Sequence, residues 1–84
     1  MARGVQAGLQ QAVVRRINGL CKQKGWTYYR LAMEAELSPR TINYVATGQN
    51  QSINLNTIKK IADACGISIT DFFDTAYFRN LPME

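Results

Sequence analysis

An all-α fold, five short helices closed around one compact core, is predicted for this 84-residue chain by three observations. Apolar residues recur at spacings of three and four in one segment after another. Each segment opens on a Ser, Thr or Asn that can cap a helix, or closes on a Gly. The connections between several of them are too short for anything but helix directly following helix.

Residues 1–8, Met1 to Gly8, are small and glycine-rich and are expected to form a flexible arm. Arg3 within it is either part of a frayed end or a basic arm. From Leu9 to Lys24 the positions Leu9, Val13, Ile17, Leu20 and Cys21 make one apolar stripe, and Arg15, Arg16, Lys22 and Lys24 lie opposite. Gly25 ends this first helix. Trp26 at the joint is read as a ring anchoring the first helix against the second.

Thr27 caps the second helix, in which Leu31, Ala32 and Ala35 share a face. It has to stop near Glu36, because Ser38 followed by Pro39 restarts a helix: Ser accepts an orphan N–H and Pro has none to orphan. Leu37 sits in the turn and plugs the angle. In the third helix Ile42, Val45 and Ala46 form the apolar edge, with Gly48 supplying a residue able to take positive φ after it.

A polar loop, Gln49 to Ile53, leads to Asn54, the cap of a fourth helix with the stripe Leu55, Ile58, Ile61, Ala62 and Cys65, closed by Gly66. Ser68 and Asp71 have capping-box spacing and open a fifth helix through Phe72 and Phe73. Residues 9–74 thus form one domain. The tail, 75–84, holds Tyr77, Phe78, Leu81 and Met83, each worth roughly 1.5–3 kcal/mol if buried. It either folds back on the first and fifth helices or, the preferred reading, dimerises against a second copy.

Composition narrows the function. There is no His, and the carboxylates of Glu34, Glu36, Asp63, Asp71 and Asp74 show no convergent pair, so catalysis is not expected. Cys21 and Cys65 fall on apolar stripes and are expected as buried free thiols, a disulfide being the alternative. No metal site, cofactor or small-molecule ligand is expected, nor any membrane segment or leader; the expected address is the cytoplasm, associated with the nucleoid. The net charge of +4 is unevenly spread, +7 through residue 60 and −3 beyond. Such a polar chain can hold phosphates at one end.

On the third helix Arg40, Asn43, Tyr44 and Thr47 are left facing outward at spacings of three and four. That face is long, polar and cationic, as a helix presented to a DNA groove must be.

In order, Ile17 and Leu20, Gly25-Trp26-Thr27, Leu31-Ala32, Leu37-Ser38, Thr41-Ile42-Asn43, Val45-Ala46-Thr47-Gly48, Ile58, Ile61-Ala62, Cys65-Gly66-Ile67-Ser68 and Phe72-Phe73 resemble the Cro and phage-repressor type of helix-turn-helix domain, the lambda-repressor-like or XRE-like family, over roughly residues 13–74. The chain departs from the family form at four places. Tyr28 stands where members carry a phosphate-contacting Gln. Glu36 replaces the turn glycine, at a cost of about 1 kcal/mol if the left-handed conformation is kept. Cys21 and Ala46 replace a buried Arg–Glu pair together, which an apolar core tolerates better than loss of one partner. Pro39-Arg40 opens the third helix where several phage repressors have glutamines.

The resemblance implies a sequence-specific regulator of transcription, read as a repressor, with helices two and three as the helix-turn-helix and the third helix, residues 39–47, in the major groove. Its partner would be double-stranded DNA, a palindromic operator bound by a homodimer. Arg40 is the candidate for a guanine edge and Asn43 for an adenine edge or a phosphate; Tyr44 could meet a thymine methyl or the backbone, with Pro39 at the mouth of the helix. The bland alternatives are an Arg40 paired with phosphate or solvent, an Asn43 that is plain helix surface, and a Tyr44 covering the domain's own apolar edge. Phosphate contacts are expected from Thr27, Tyr28, Tyr29, Arg30, Thr41, Thr47, Gln49 and Asn50. The rival function is an interaction or antitoxin-like module that keeps the fold without reading DNA.

Overall fold

The same short device joins three pairs of neighbouring helices. In the computed structural model, which describes residues 2–47 and 53–81, with side chains from residue 8 onward, α1 (Ala2–Lys24), α2 (Tyr28–Glu34), α3 (Pro39–Ala46), α4 (Leu55–Ala64), α5 (Ile69–Phe72) and α6 (Ala76–Arg79) follow in order. After α1, α2 and α4 the chain passes through one left-handed residue, Gly25 (φ 70°), Glu36 (φ 57°) and Gly66 (φ 77°) respectively. The next residue then bonds backward over the helix end: Trp26 N–H to Cys21 O at 2.9 Å, Leu37 N–H to Ala32 O at 2.8 Å, Ile67 N–H to Ala62 O at 3.0 Å. These are Schellman closures, which satisfy carbonyls the helix leaves unpaired.

Trp26, Leu37 and Ile67 have a second role, because each also precedes the cap of the following helix. Thr27, Ser38 and Ser68 take up the caps, accepting from the backbone N–H of Arg30, Thr41 and Asp71. The fourth residues of those helices, Leu31, Ile42 and Phe72, are fully buried, and Trp26, Leu37 and Ile67 pack on the same core. That is the arrangement of a hydrophobic staple. One apolar residue therefore closes one helix and opens the next, which is why joints of three or four residues suffice. Asn54 caps α4 through the Asn56 N–H at 2.7 Å, and Ile53 occupies the corresponding staple position before Ile58.

α2 packs on α3 and α4, α1 on α3 and α6, and α4 on α5. Ile17, Leu31, Ile42, Val45, Ile61 and Phe72 fill the centre, with Cys21 and Cys65 buried at its edge as free thiols. No described helix is long and apolar enough to cross a membrane.

Several expectations need correction. α1 begins at Ala2, so the stretch expected as an arm continues the helix through Gly8. Leu9 is 48% exposed and Leu55 67% exposed, although both have the phase of their stripes. Leu9 lies N-terminal to Ala12 and Val13 on α1, and Leu55 is the first residue of α4; in neither place does phase alone bring a neighbour to cover the side chain. Six helices are described instead of five, because the tail forms α6. Gly48, the expected closure of α3, lies outside the described residues.

The tail folds back on its own chain. Phe78 packs against the core, its ring 5.0 Å from Phe73 and 6.2 Å from Phe72. The Arg15 guanidinium lies 4.5 Å from the Tyr77 ring centre, and Leu81 is so close to Gly8 that a Cβ there would stand 3.2 Å from Leu81 Cδ2. Met83 lies outside the described residues.

Candidate nucleic-acid interface

α3 is held by one face and presents the other. Ser38 Oγ accepts from the Thr41 N–H at 3.1 Å and Pro39 occupies the first turn, so the helix starts cleanly. Ile42, Val45 and Ala46 then bury the inner face, which locks the rotation of the helix about its axis. The outer face follows from that rotation. Arg40, Asn43, Tyr44 and Thr47 are exposed and line one shallow surface depression.

Charge on this face is available because Arg40 is uncommitted. Among the described residues its side chain makes no ion pair or hydrogen bond, whereas Arg30, Lys24, Lys59 and Arg79 are engaged. Arg30 Nε pairs with Glu34 at 2.8 Å and its guanidinium sits 5.4 Å from the Trp26 ring centre. Lys24 lies over the same indole at 5.5 Å. Lys59 pairs with Asp63 at 2.7 Å, and Arg79 with Asp74. Such exposed pairs contribute little to stability, about 0–1 kcal/mol, but each lowers the positive field its cation presents.

The residues expected at phosphates divide. Tyr29 is exposed, 62% of its surface open, and free to reach outward. Thr27 Oγ1 accepts from the Arg30 N–H at 3.1 Å, which leaves its own hydrogen to donate. Thr41 is half-buried with its hydroxyl 2.8 Å from Ser38 Oγ. The Thr47 hydroxyl donates to the Asn43 carbonyl at 2.6 Å and so back-bonds within α3. Tyr28 is half-buried against the core, and its hydroxyl donates to Asn18 Oδ1 on α1. Gln49 and Asn50 lie outside the described residues.

Two residues escaped the sequence reading. Arg16, placed there on the solvent side of the first helix, reaches across the domain to the end of α5, its Nε 2.8 Å from Phe72 O and its Nη2 2.9 Å from Asp71 O. Asn18 is the partner of Tyr28. Neither contact leaves a mark in local pattern, since both link helices that only the tertiary fold brings together. Both thiols titrate above their ordinary range, Cys21 through burial and then the neighbouring Cys65, Cys65 through burial that Lys24 and Arg16 partly offset.

Comparison with known proteins agrees with this all-helical architecture. The family described as Cro/C1-type HTH DNA-binding domain matches residues 16–76. A solved structure, titled "Crystal structure of the prophage Lp1 protein 11", superposes with a TM-score of 0.75 at 30% sequence identity, covering 84% of this chain and 93% of that one. No curated protein matches. With the family's own pattern running from the middle of α1 to the start of α6, this chain belongs to the Cro/C1-type helix-turn-helix DNA-binding domains.

Proposed function

We propose that the protein is a sequence-specific regulator of transcription, a repressor acting in the cytoplasm on the nucleoid, in which α2 and α3 form the helix-turn-helix and α3 enters the major groove. The observation that carries this reading is the pairing of a fully buried inner face on α3 with an outer face on which Arg40 is unpaired beside Asn43 and Tyr44. An uncommitted guanidinium can present its fork to guanine O6 and N7, and a side-chain amide can bond an adenine edge. Pro39 is exposed at the mouth of α3. Tyr29 and Thr27, at the start of α2, are the best placed of the phosphate candidates, and Gln49 and Asn50 remain candidates from the sequence.

One domain of this size reads few base pairs, so two copies on a palindromic operator are proposed. Phe78 is taken up by its own chain's core, and pairing through the tail would use what Tyr77 and Leu81 leave uncovered. Sedimentation of the free and the operator-bound protein counts the copies.

The test is selection of bound duplexes from a random pool, for the wild type and for Arg40→Ala. The expected outcome is one enriched motif for the wild type, with preference at one position relaxed by about 1–3 kcal/mol in the variant. An unchanged motif would remove Arg40 from base reading. No duplex binding even in dilute salt would leave the non-DNA interaction module as the function.

A further inference from the structure

Tyr28 stands at the first position of α2 and its hydroxyl donates to Asn18 Oδ1, ten residues back on α1. That bond has two consequences. The phenolic hydrogen is taken up by Asn18 at the surface between α1 and α2, so it is not the donor a passing phosphate would meet first. The carbonyl end of the Asn18 amide is held toward Tyr28, so its NH2 end, with two hydrogens to give, is turned away from it.

Asn18 is exposed, and so is Lys22, four residues further along the same face of α1. Lys22 makes no ion pair or hydrogen bond among the described residues. A directed amide beside the start of α2 and a free ammonium thus stand one turn apart on α1.

We propose that Asn18 and Lys22 form a DNA-backbone contact on α1, with Tyr28 as the positioning residue that aims the Asn18 amide at a phosphate oxygen. The proposal rests on the DNA-binding reading given above. It moves the donor from the first residue of α2 to the neighbouring helix: an amide N–H takes the place of the phenol, and the nearby ammonium adds charge. Contacts of this kind set position and affinity without reading bases.

The test uses the full chain and an operator duplex obtained by selection, with affinity measured across salt concentrations. Asn18→Asp places a carboxylate against the phosphate and is expected to weaken binding to every sequence by roughly tenfold or more. Asn80→Asp, at the exposed end of α6, carries the same charge change and serves as the control. Lys22→Ala is expected to lower the slope of log affinity against log salt by about one, and Asn18→Lys to raise it by about one. Tyr28→Phe is expected to weaken binding a few-fold alone and to have no effect once Asn18 is Ala. Thermal melting of each variant reports the fold separately.

Asn18→Asp no worse than Asn80→Asp, or an unchanged slope in Lys22→Ala, would overturn the proposal while leaving Arg40 and the motif intact. Absence of duplex binding by the wild type would overturn it together with the reading beneath it.

Discussion

The Nε of Arg16 donates to the carbonyl oxygen of Phe72 at 2.8 Å, joining the middle of α1 to the last turn of a four-residue helix. The second arm of the same guanidinium donates to Asp71 O at 2.9 Å, and the guanidinium carbon lies 5.9 Å from the Phe72 ring centre. Carbonyls at a helix C-terminus carry partial negative charge and lack intrahelical partners. A planar cation with two parallel donors answers both needs.

Arg16→Ala should therefore destabilise the domain by about 1–3 kcal/mol, since it leaves a part-buried carbonyl without its charged donor. Arg16→Lys keeps the charge but loses the fork and should recover only part of that. Chemical denaturation of the two variants checks it. Equal stability of wild type and Arg16→Ala would mean that water replaces the guanidinium at no cost.

Glu36 takes φ 57° at a joint whose two counterparts are glycines. A side chain in that conformation costs roughly 1–2 kcal/mol, and Gly returns about half of this through the greater freedom of its unfolded chain. Glu36→Asn, which tolerates the left-handed region better, should stabilise by a few tenths of a kcal/mol, and Glu36→Gly by about 0.5 kcal/mol. Lower melting temperatures for both would show that the Glu36 carboxylate contributes more than its backbone conformation costs.

Phe78 fills a three-ring cluster with Phe72 and Phe73 inside a single copy. Phe78→Asp should lower the melting temperature at protein concentrations too low for any dimer, by several degrees for each kcal/mol lost in a domain of this size. A loss confined to high concentration would instead tie Phe78 to assembly, and the fold-back of α6 would count for little.

Burial raises the Cys21 and Cys65 thiols above their ordinary value of 9.0. In the unfolded chain they ionise first, so the folded state holds the extra protons in that window and stability falls as pH rises through it. Full stability from this source is present below about pH 8 and is lost above 9. Replacing both by Ala should flatten the fall between pH 8 and 9.5, seen in denaturation midpoints. An equally steep fall in the variant would assign the alkaline loss to other groups.

For the five expected helices, caps and breaks were legible because each rests on residues within one turn of each other; α6 and the start of α1 at Ala2 were not foreseen. Ser38-Pro39, Thr27, Asn54 and Ser68 cap where their hydroxyl or amide chemistry says they should, and Gly25 and Gly66 take the positive φ their missing Cβ allows. The outward set on α3 was equally legible, since once Ile42, Val45 and Ala46 are inside, the helical period leaves Arg40, Asn43 and Tyr44 outside. The limits of helix phase showed at Leu9 and Leu55. Hydrophobicity says which side chain gains from burial, and only the packing of other elements says whether there is anything to bury it against.

By itself, then, the sequence determined what local chemistry determines: the caps, the left-handed joints, the inner and outer faces of α3, and through them membership in a DNA-binding family. The tertiary structure decided which polar groups are already spent. Arg16 on the α5 carbonyls, Arg30 on Glu34 and Trp26, Tyr28 on Asn18, and Phe78 on its own core are all engaged, while Arg40 is left uncommitted among the described residues. A donor's availability depends on its neighbours in space, and helices separated by tens of residues along the chain become neighbours only after the core has closed.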